Sequence, residues 1–372
     1  MTTSDGSLVI TLSEHRSHNK PFRSGSIATW NKLCFQGGLL EASVLFPGAA
    51  EIPSYWPAVW TMGNLGRAGF GATTDGTWPY TYEACDVGTL RNQTWPKNQG
   101  GGPEAALTTG SKGRTLSYLP GQKLSSCTCP GEDHPGPVLP DGSFRGRGAP
   151  EIDLFESTSA HNGAQTSLSV QTAPFNAHYE YRNTSGVIFG EQTHANNYKG
   201  GVYQQSISAV HATDPNSFQY GPAPRFAQYA VESRPGKDGF AHWSVNDKTA
   251  WRIEYAKAMQ ADPQTEISTR YVPREPMYII MNLAMSSGFS HPEWGNINFP
   301  GIFKIDWIRL YQDEGQEAVG CDPPDYPTKA YIERHWEAYH NPNMTTWTEP
   351  RGFHIGYGHA FPKNRLTSSC TA

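Results

Sequence analysis

The chain has 372 residues, a net charge of −5, and 11 Trp, 18 Tyr and 16 Phe beside 38 Gly and 29 Pro. So small a charge, with no Lys/Arg run, argues against a nucleic-acid partner, and no stretch approaches the roughly 18–20 apolar residues that span a bilayer. The composition favours short strands and ordered loops over long helices. It also suits sugar binding, because aromatic rings that pack a core pack equally well on pyranose C–H faces.

In chain order, residues 1–6 carry no apolar signal region, so a targeting segment is read as lost or never built into this chain. Predicted strands follow at 26–35, 39–46, 166–171, 228–232, 241–245, 250–255, 277–285 and 303–311. Asn246-Asp247 reads as a two-residue hairpin turn. Such spacing predicts an all-β sandwich of two antiparallel sheets. The catalytic domain is expected over 1–320. Within it, about 63–150 is a Gly-, Pro- and Thr-rich insertion holding three of the six cysteines, expected as an ordered loop region. Residues 321–372 form a tail with a short helix in 328–340, whose Ile332, Trp336 and Tyr339 share one face. The cysteines are Cys34, Cys85, Cys127, Cys129, Cys321 and Cys370. Disulfides are favoured over metal, since Cys127 and Cys129 lack a second pair at zinc spacing. Cys321 and Cys370 invite a tail-closing bridge. With the sequons at Asn92, Asn183 and Asn343, the cysteines suggest a secretory history.

The chemistry concentrates in Glu151-Ile-Asp153-Leu-Phe-Glu156. On a regular strand Glu151 and Asp153 share a face and Glu156 points away. A β-bulge between 153 and 156 would bring Glu156 to that face. Glu151 and Glu156 would then be about 13 Å apart along the backbone at about 3.3 Å per step. A retaining glycosidase needs its two carboxyls about 5–5.5 Å apart, so the side chains must lean together. Three crowded acids should raise at least one pKa, as a proton donor requires. Read alone, the pattern also fits a solvated edge or a calcium site.

E-I-D-L-F-E resembles the signature of glycoside hydrolase family 16, the laminarinase-like jelly rolls. The chain as a whole resembles the fungal β-glucan-synthesis-associated proteins of that family, through blocks at 56–67 (beginning W-P-A-V-W), 76–82, 85–88, 118–124, 127–134, 146–153, 321–328 and 361–364. The resemblance implies a β-jelly roll with a concave glucan cleft. It implies Glu151 as nucleophile, Glu156 as general acid/base and Asp153 as the residue assisting between them. Gln171, Trp60 and Asn282 fall where relatives line the cleft, although each also suits a structural role. Many laminarinases carry a Trp shortly before the E-x-D run; here Arg147 and Ala149 stand there, implying a different donor side. The insertion is expected either to reshape the cleft with Trp78, Tyr80, Tyr82, Asp133 and His134, or to use them to hold itself together. Relatives have a cytoplasmic tail, a membrane span and lumenal residues ahead of the region matching 3–10, which leaves open whether strands that precede it are missing.

The expected function is a retaining hydrolase or transglycosylase acting on β-1,6- and/or β-1,3-glucan in cell-wall biogenesis. The alternative is a glucan-binding or assembly protein with little turnover. A monomer of the secretory lumen, cell surface or exterior is expected, with β-glucan as partner. No cofactor is expected; sandwiches of this kind sometimes hold a structural calcium, for which the sequence offers no specific ligand cluster.

Overall fold

The structure is a computed structural model that describes residues 1–107, 119–175, 181–350 and 352–370; Tyr118, at the head of one matched block, lies outside them. Among the described residues, two large antiparallel sheets face each other. The back sheet is eight-stranded, in the order Thr2–Ser4, Ser7–Leu12, Gly301–Tyr311, Gly38–Leu45, Ala227–Arg234, Phe240–Val245, Lys248–Glu254 and Val187–Phe189. The site sheet is nine-stranded. Its main path runs Thr193–Ala195, Gln204–Ala212, Gln165–Thr172, Glu151–Thr158, Trp56–Gly63, Met277–Ala284 and Ser26–Ala28. Two short strands, Gly200–Gly201 and Cys34–Phe35, pair off that path.

Period-2 alternation builds the layer between the sheets. Leu40, Ala42 and Val44 pack from the back sheet with Tyr229, Val231, Trp243 and Phe303. Ile152, Leu168, Val170, Ile207, Ile279 and Met281 meet them from the site sheet. Asn246 and Asp247 both take positive φ, 48° and 61°, as a tight hairpin turn demands.

The carboxylate strand breaks the alternation once. Against its neighbour, Val59 stands opposite Phe155 and Trp60 opposite Asp153, leaving Leu154 as an extra residue. The ladder to Gln165–Thr172 shifts at the same place. Leu154 and Phe155 consequently both enter the core, and Glu156 returns to the face of Glu151 and Asp153. The Asp153 carbonyl accepts the indole N–H of Trp243, on the opposite sheet, at 2.8 Å. Trp243 is itself wedged against Trp251, rings 4.7 Å apart and nearly parallel.

Several expectations need correction. The predicted 26–35 strand is two pieces, Ser26–Ala28 and Cys34–Phe35, separated by a turn in which Asn31 has φ 54°. The tail helix is interrupted at His335, giving Lys329–Arg334 and Trp336–His340. Ile332 and Tyr339 are buried, but the interruption turns Trp336 outward to 57% exposure. The tail does not close on itself: the disulfides are Cys34–Cys321, Cys85–Cys127 and Cys129–Cys370. The first and third stitch the tail to the sandwich edge and to the insertion, and the second closes the insertion on itself.

Insertion and tail share a second core, in which Leu65, Ala72 and Leu124 pack on Tyr331, Ile332, Tyr339 and Trp347. Arg147 joins all the parts. Buried just ahead of the carboxylate strand, it forms a bidentate pair with Glu275, both contacts 2.8 Å. It also donates to the carbonyls of Gly136 and Pro327. Arg147, which stands where many laminarinases carry a Trp, thus has a structural role here. Gly148 beside it has no room for a side chain, since an added Cβ would lie 2.1 Å from the Tyr80 carbonyl oxygen. No helix among the described residues is long and apolar enough to cross a membrane.

Replacing Arg147 with Met leaves the Glu275 carboxylate buried without its cation. The expected cost is about 3–5 kcal/mol in urea unfolding; a loss below about 1 kcal/mol would contradict this role.

Candidate active site

The bulged strand presents Glu151, Asp153 and Glu156 to one side of the site sheet, with Asp153 buried and the two glutamates partly covered. Each acid has its own donors. The Trp78 indole N–H bonds Glu151 Oε2 at 2.5 Å. The Trp56 indole N–H bonds Glu156 Oε1 at 3.0 Å. Asp153 Oδ2 accepts Ser169 Oγ at 2.7 Å and Gln171 Nε2 at 3.2 Å. Trp60 donates to Asn282 Oδ1 at 2.7 Å, which sets both side chains on the adjoining strands.

Burial and mutual repulsion oppose ionisation here. Glu151 is held well above the ordinary carboxylate range by desolvation first, then by Asp153 and Glu156, against the pull of Trp78. Burial lifts Glu156 to about 8, with Asp153 adding to the lift and Trp56 opposing it. Asp153 rises to about 6 through burial, restrained by Ser169 and Gln171. At neutral pH the cluster keeps at least one proton, and the three sites titrate as a unit.

Two hollows meet at Glu151. One, about 540 Å³, is lined by Glu151, Glu156, Gln171, Tyr198, Trp56 and Phe289 among others. The other, about 730 Å³, is lined by Glu151, Trp60, Asn282 and the insertion residues Ala68 and Gly69. Trp78 borders both. Together they form a groove crossing the strands; Gln171 is among its lining residues, and its amide oxygen is buried with no hydrogen-bond partner among the described residues.

The structure thus gathers Glu151, Asp153, Glu156, Trp60, Trp78, Gln171 and Asn282. It keeps Tyr80, Asp133 and His134 away from the groove. Tyr80 is buried with Tyr82, Leu119 and Phe175, because the insertion needs a small core of its own. Asp133 pairs with Arg334 and His335 of the tail, at 2.9 and 2.5 Å. His134 is buried against Phe144, ring centroids 4.4 Å apart. These three hold the insertion and tail in place. Sequence reasoning also missed Trp56, Ser169 and Tyr198. Trp56 was legible: four residues before Trp60 on a strand, it shares that face. Tyr198 lies outside any periodic run. No cluster of three or more His, Cys, Asp or Glu among the described residues is arranged to hold a metal.

A family model described as β-glucan synthesis-associated protein SKN1/KRE6/Sbg1 matches residues 1–370. The chain is 40% identical over 377 residues to β-glucan synthesis-associated protein KRE6 of Saccharomyces cerevisiae, covering 100% of this chain and 48% of the relative. It is 39% identical over 378 residues to SKN1 of the same yeast, covering 100% and 45%, and 36% identical over 377 residues to KRE6 of Candida albicans, covering 98% and 46%. The chain spans about half the length of the curated relatives it matches. Among solved structures it is similar to the laminarinase catalytic domain of Thermotoga maritima, at 16% identity and a TM-score of 0.44, covering 84% of this chain and 80% of that one. It is also similar to SCLam, a non-specific endo-β-1,3(4)-glucanase from family GH16, at 15% identity and a TM-score of 0.43, covering 84% and 73%.

The raised acids have a stability consequence of fixed sign. A carboxyl moved from 4.5 to about 8 on folding, as Glu156 is, contributes stability that is complete at low pH and is lost as pH rises through about 8. Glu156→Gln is therefore expected to unfold at a higher temperature than the parent at pH 8.5, with the gap closing at pH 5. A parent as stable as the variant at pH 8.5 would show that Glu156 ionises without cost.

Proposed function

The chain belongs to the β-glucan synthesis-associated SKN1/KRE6/Sbg1 family, and from that premise we propose that it is a retaining enzyme acting on β-1,6- or β-1,3-glucan in cell-wall biogenesis. One observation carries the reading: a single bulged strand turns three carboxyls to the same side of the sheet, Glu151 and Glu156 lining the groove and Asp153 buried between them, each bound by its own donor. Glu156, protonated at neutral pH, gives its proton to the leaving glycosidic oxygen as that C–O bond breaks. Glu151 attacks the anomeric carbon and forms the glycosyl ester. An indole N–H donates and cannot accept, so Trp78 favours the charged form of Glu151 as Trp56 favours that of Glu156, and the split of roles between them rests on the family pattern. Once Glu151 carries that charge, repulsion keeps the remaining proton on Glu156. Asp153, anchored by Ser169 and Gln171, sits between them and orients the nucleophile. Glu156 then takes a proton from the incoming hydroxyl, and the glycosyl group passes to a second glucan, or to water.

The presence of Gln171 in the lining of the hollow beside Glu151 and Glu156 supports sugar recognition. Three disulfides suit an oxidising compartment, which fits the secretory route or the cell surface.

Two tests follow. With laminari- and β-1,6-linked gluco-oligosaccharides, the parent chain is expected to give longer products by transfer alongside shorter ones, and Glu151→Gln none. Binding without product in both would leave only an assembly role. Glu156→Gln should lower kcat/KM by about 10²–10⁴-fold on substrates with poor leaving groups. In the parent, kcat/KM should fall as pH rises through about 8, and Trp56→Phe should move that limb to higher pH because Glu156 loses its donor. An unmoved limb would assign it to another group.

A further inference from the structure

The groove does not stop at the sheet edge. The hollow containing Trp60 and Asn282 shares Ser26 and Ala68 with a third, of about 540 Å³. The path is ordered. From Gln204–Ala212 it crosses the carboxylate strand and Trp56–Gly63, reaches the edge strand Ser26–Ala28, and continues beyond it. Ser26, Ala28 and Tyr278 of the sheet still line it there, joined by the turn after the edge strand, the insertion and the tail. Trp30, Phe70 and Trp336 line this third hollow, with Arg67, Lys32 and His340.

Its base is rigid. Trp30 stacks on the buried Tyr339, rings 5.7 Å apart and 12° from parallel, and donates to the Asn64 carbonyl at 3.1 Å. The Arg67 guanidinium lies 4.3 Å from the Trp30 ring centre and 3.9 Å from that of Phe70, and donates to the Tyr339 carbonyl. Trp336 is different. It is 57% exposed at the start of its short helix, and His340 stacks nearly parallel to it. Isolated exposed aromatics are ordinary on protein surfaces. This one lines a hollow that shares Ser26 and Ala68 with the carboxylate groove, beside Trp30, Phe70 and the Arg67 guanidinium that lies over both rings, so that the exposed indole suits a pyranose ring and the cation its hydroxyls.

We infer that Trp30, Phe70 and Trp336 form a distal platform for a β-glucan chain whose reacting bond lies at Glu151 and Glu156. The platform binds the polymer several sugars away from the chemistry and makes the protein select long chains. This rests on the reading that the groove takes β-glucan. It adds a function for the tail: holding Trp336 at the end of the groove.

The test separates the two readings. Glu151→Gln protein, which is expected to hold substrate without turnover, is titrated calorimetrically with laminari-oligosaccharides and with β-1,6-linked gluco-oligosaccharides of increasing length. Affinity for one series is expected to keep rising after the groove around the carboxylates is filled. Adding Trp336→Ala should remove that rise and weaken the longest oligosaccharides roughly five- to tenfold, with the shortest unchanged; Trp336→Phe should restore most of it. Equal affinity for long chains with and without Trp336, or equal loss at every length, would overturn the platform and leave the enzyme reading intact. Failure of both series to bind at any length would remove the glucan reading and the platform with it.

Discussion

The site depends on one extra residue and on the bond that accommodates it. A regular strand sends Glu156 toward the core and leaves only Glu151 and Asp153 on the groove side. Leu154, the supernumerary residue, reverses that parity. A bulge disturbs ladder pairing, and the Asp153 carbonyl at its edge is bonded across the core by the Trp243 indole. The back sheet thereby holds the site sheet in the conformation that aligns the acids. Trp251, stacked on Trp243, fixes the indole in turn. Core packing and site geometry are the same set of contacts.

The second dependency runs through the insertion. A carboxylate cluster that shuns ionisation needs cover as well as donors, and Trp78 supplies both: its indole bonds Glu151 and its ring borders both hollows. Trp78 belongs to a segment with little regular structure, so its position must be fixed from outside the sheet. Arg147 binds the segment next to the carboxylate strand to Glu275 and to the tail at Pro327. Asp133 binds it to His335, and the disulfides Cys85–Cys127 and Cys129–Cys370 close it. Residues that looked like sugar contacts in the sequence, Asp133 and His134 above all, serve this cover at a distance.

Much of this was legible in the sequence, for physical reasons that differ by element. Gly38–Leu45 is rich in apolar residues and Met277–Ala284 is a nearly continuous apolar run, and both were readable. Gln204–Ala212 was not: its groove face is polar and its core face includes Ala209, so no apolar run marks it. The bulge was readable because three acids in one strand make sense only if they share a face. Tyr80 and Trp78 are two residues apart in one motif, yet one is buried in a local core and the other touches Glu151. Nothing local distinguishes them, because that choice is made by how the insertion folds back over the sheet. Trp336 shows the opposite limit. Helical periodicity put it on a buried face, and a break at His335, which periodicity does not reveal, turned it outward.

The claim that this bulged strand carries out double displacement is tested most directly by trapping the intermediate. An activated 2-deoxy-2-fluoro β-gluco-oligosaccharide slows both steps and lets the glycosyl-enzyme accumulate. Peptide mass mapping of the inactivated protein is predicted to locate the sugar on Glu151. Label on Glu156 or Asp153, or turnover with inversion at the anomeric carbon and no label anywhere, would contradict the account.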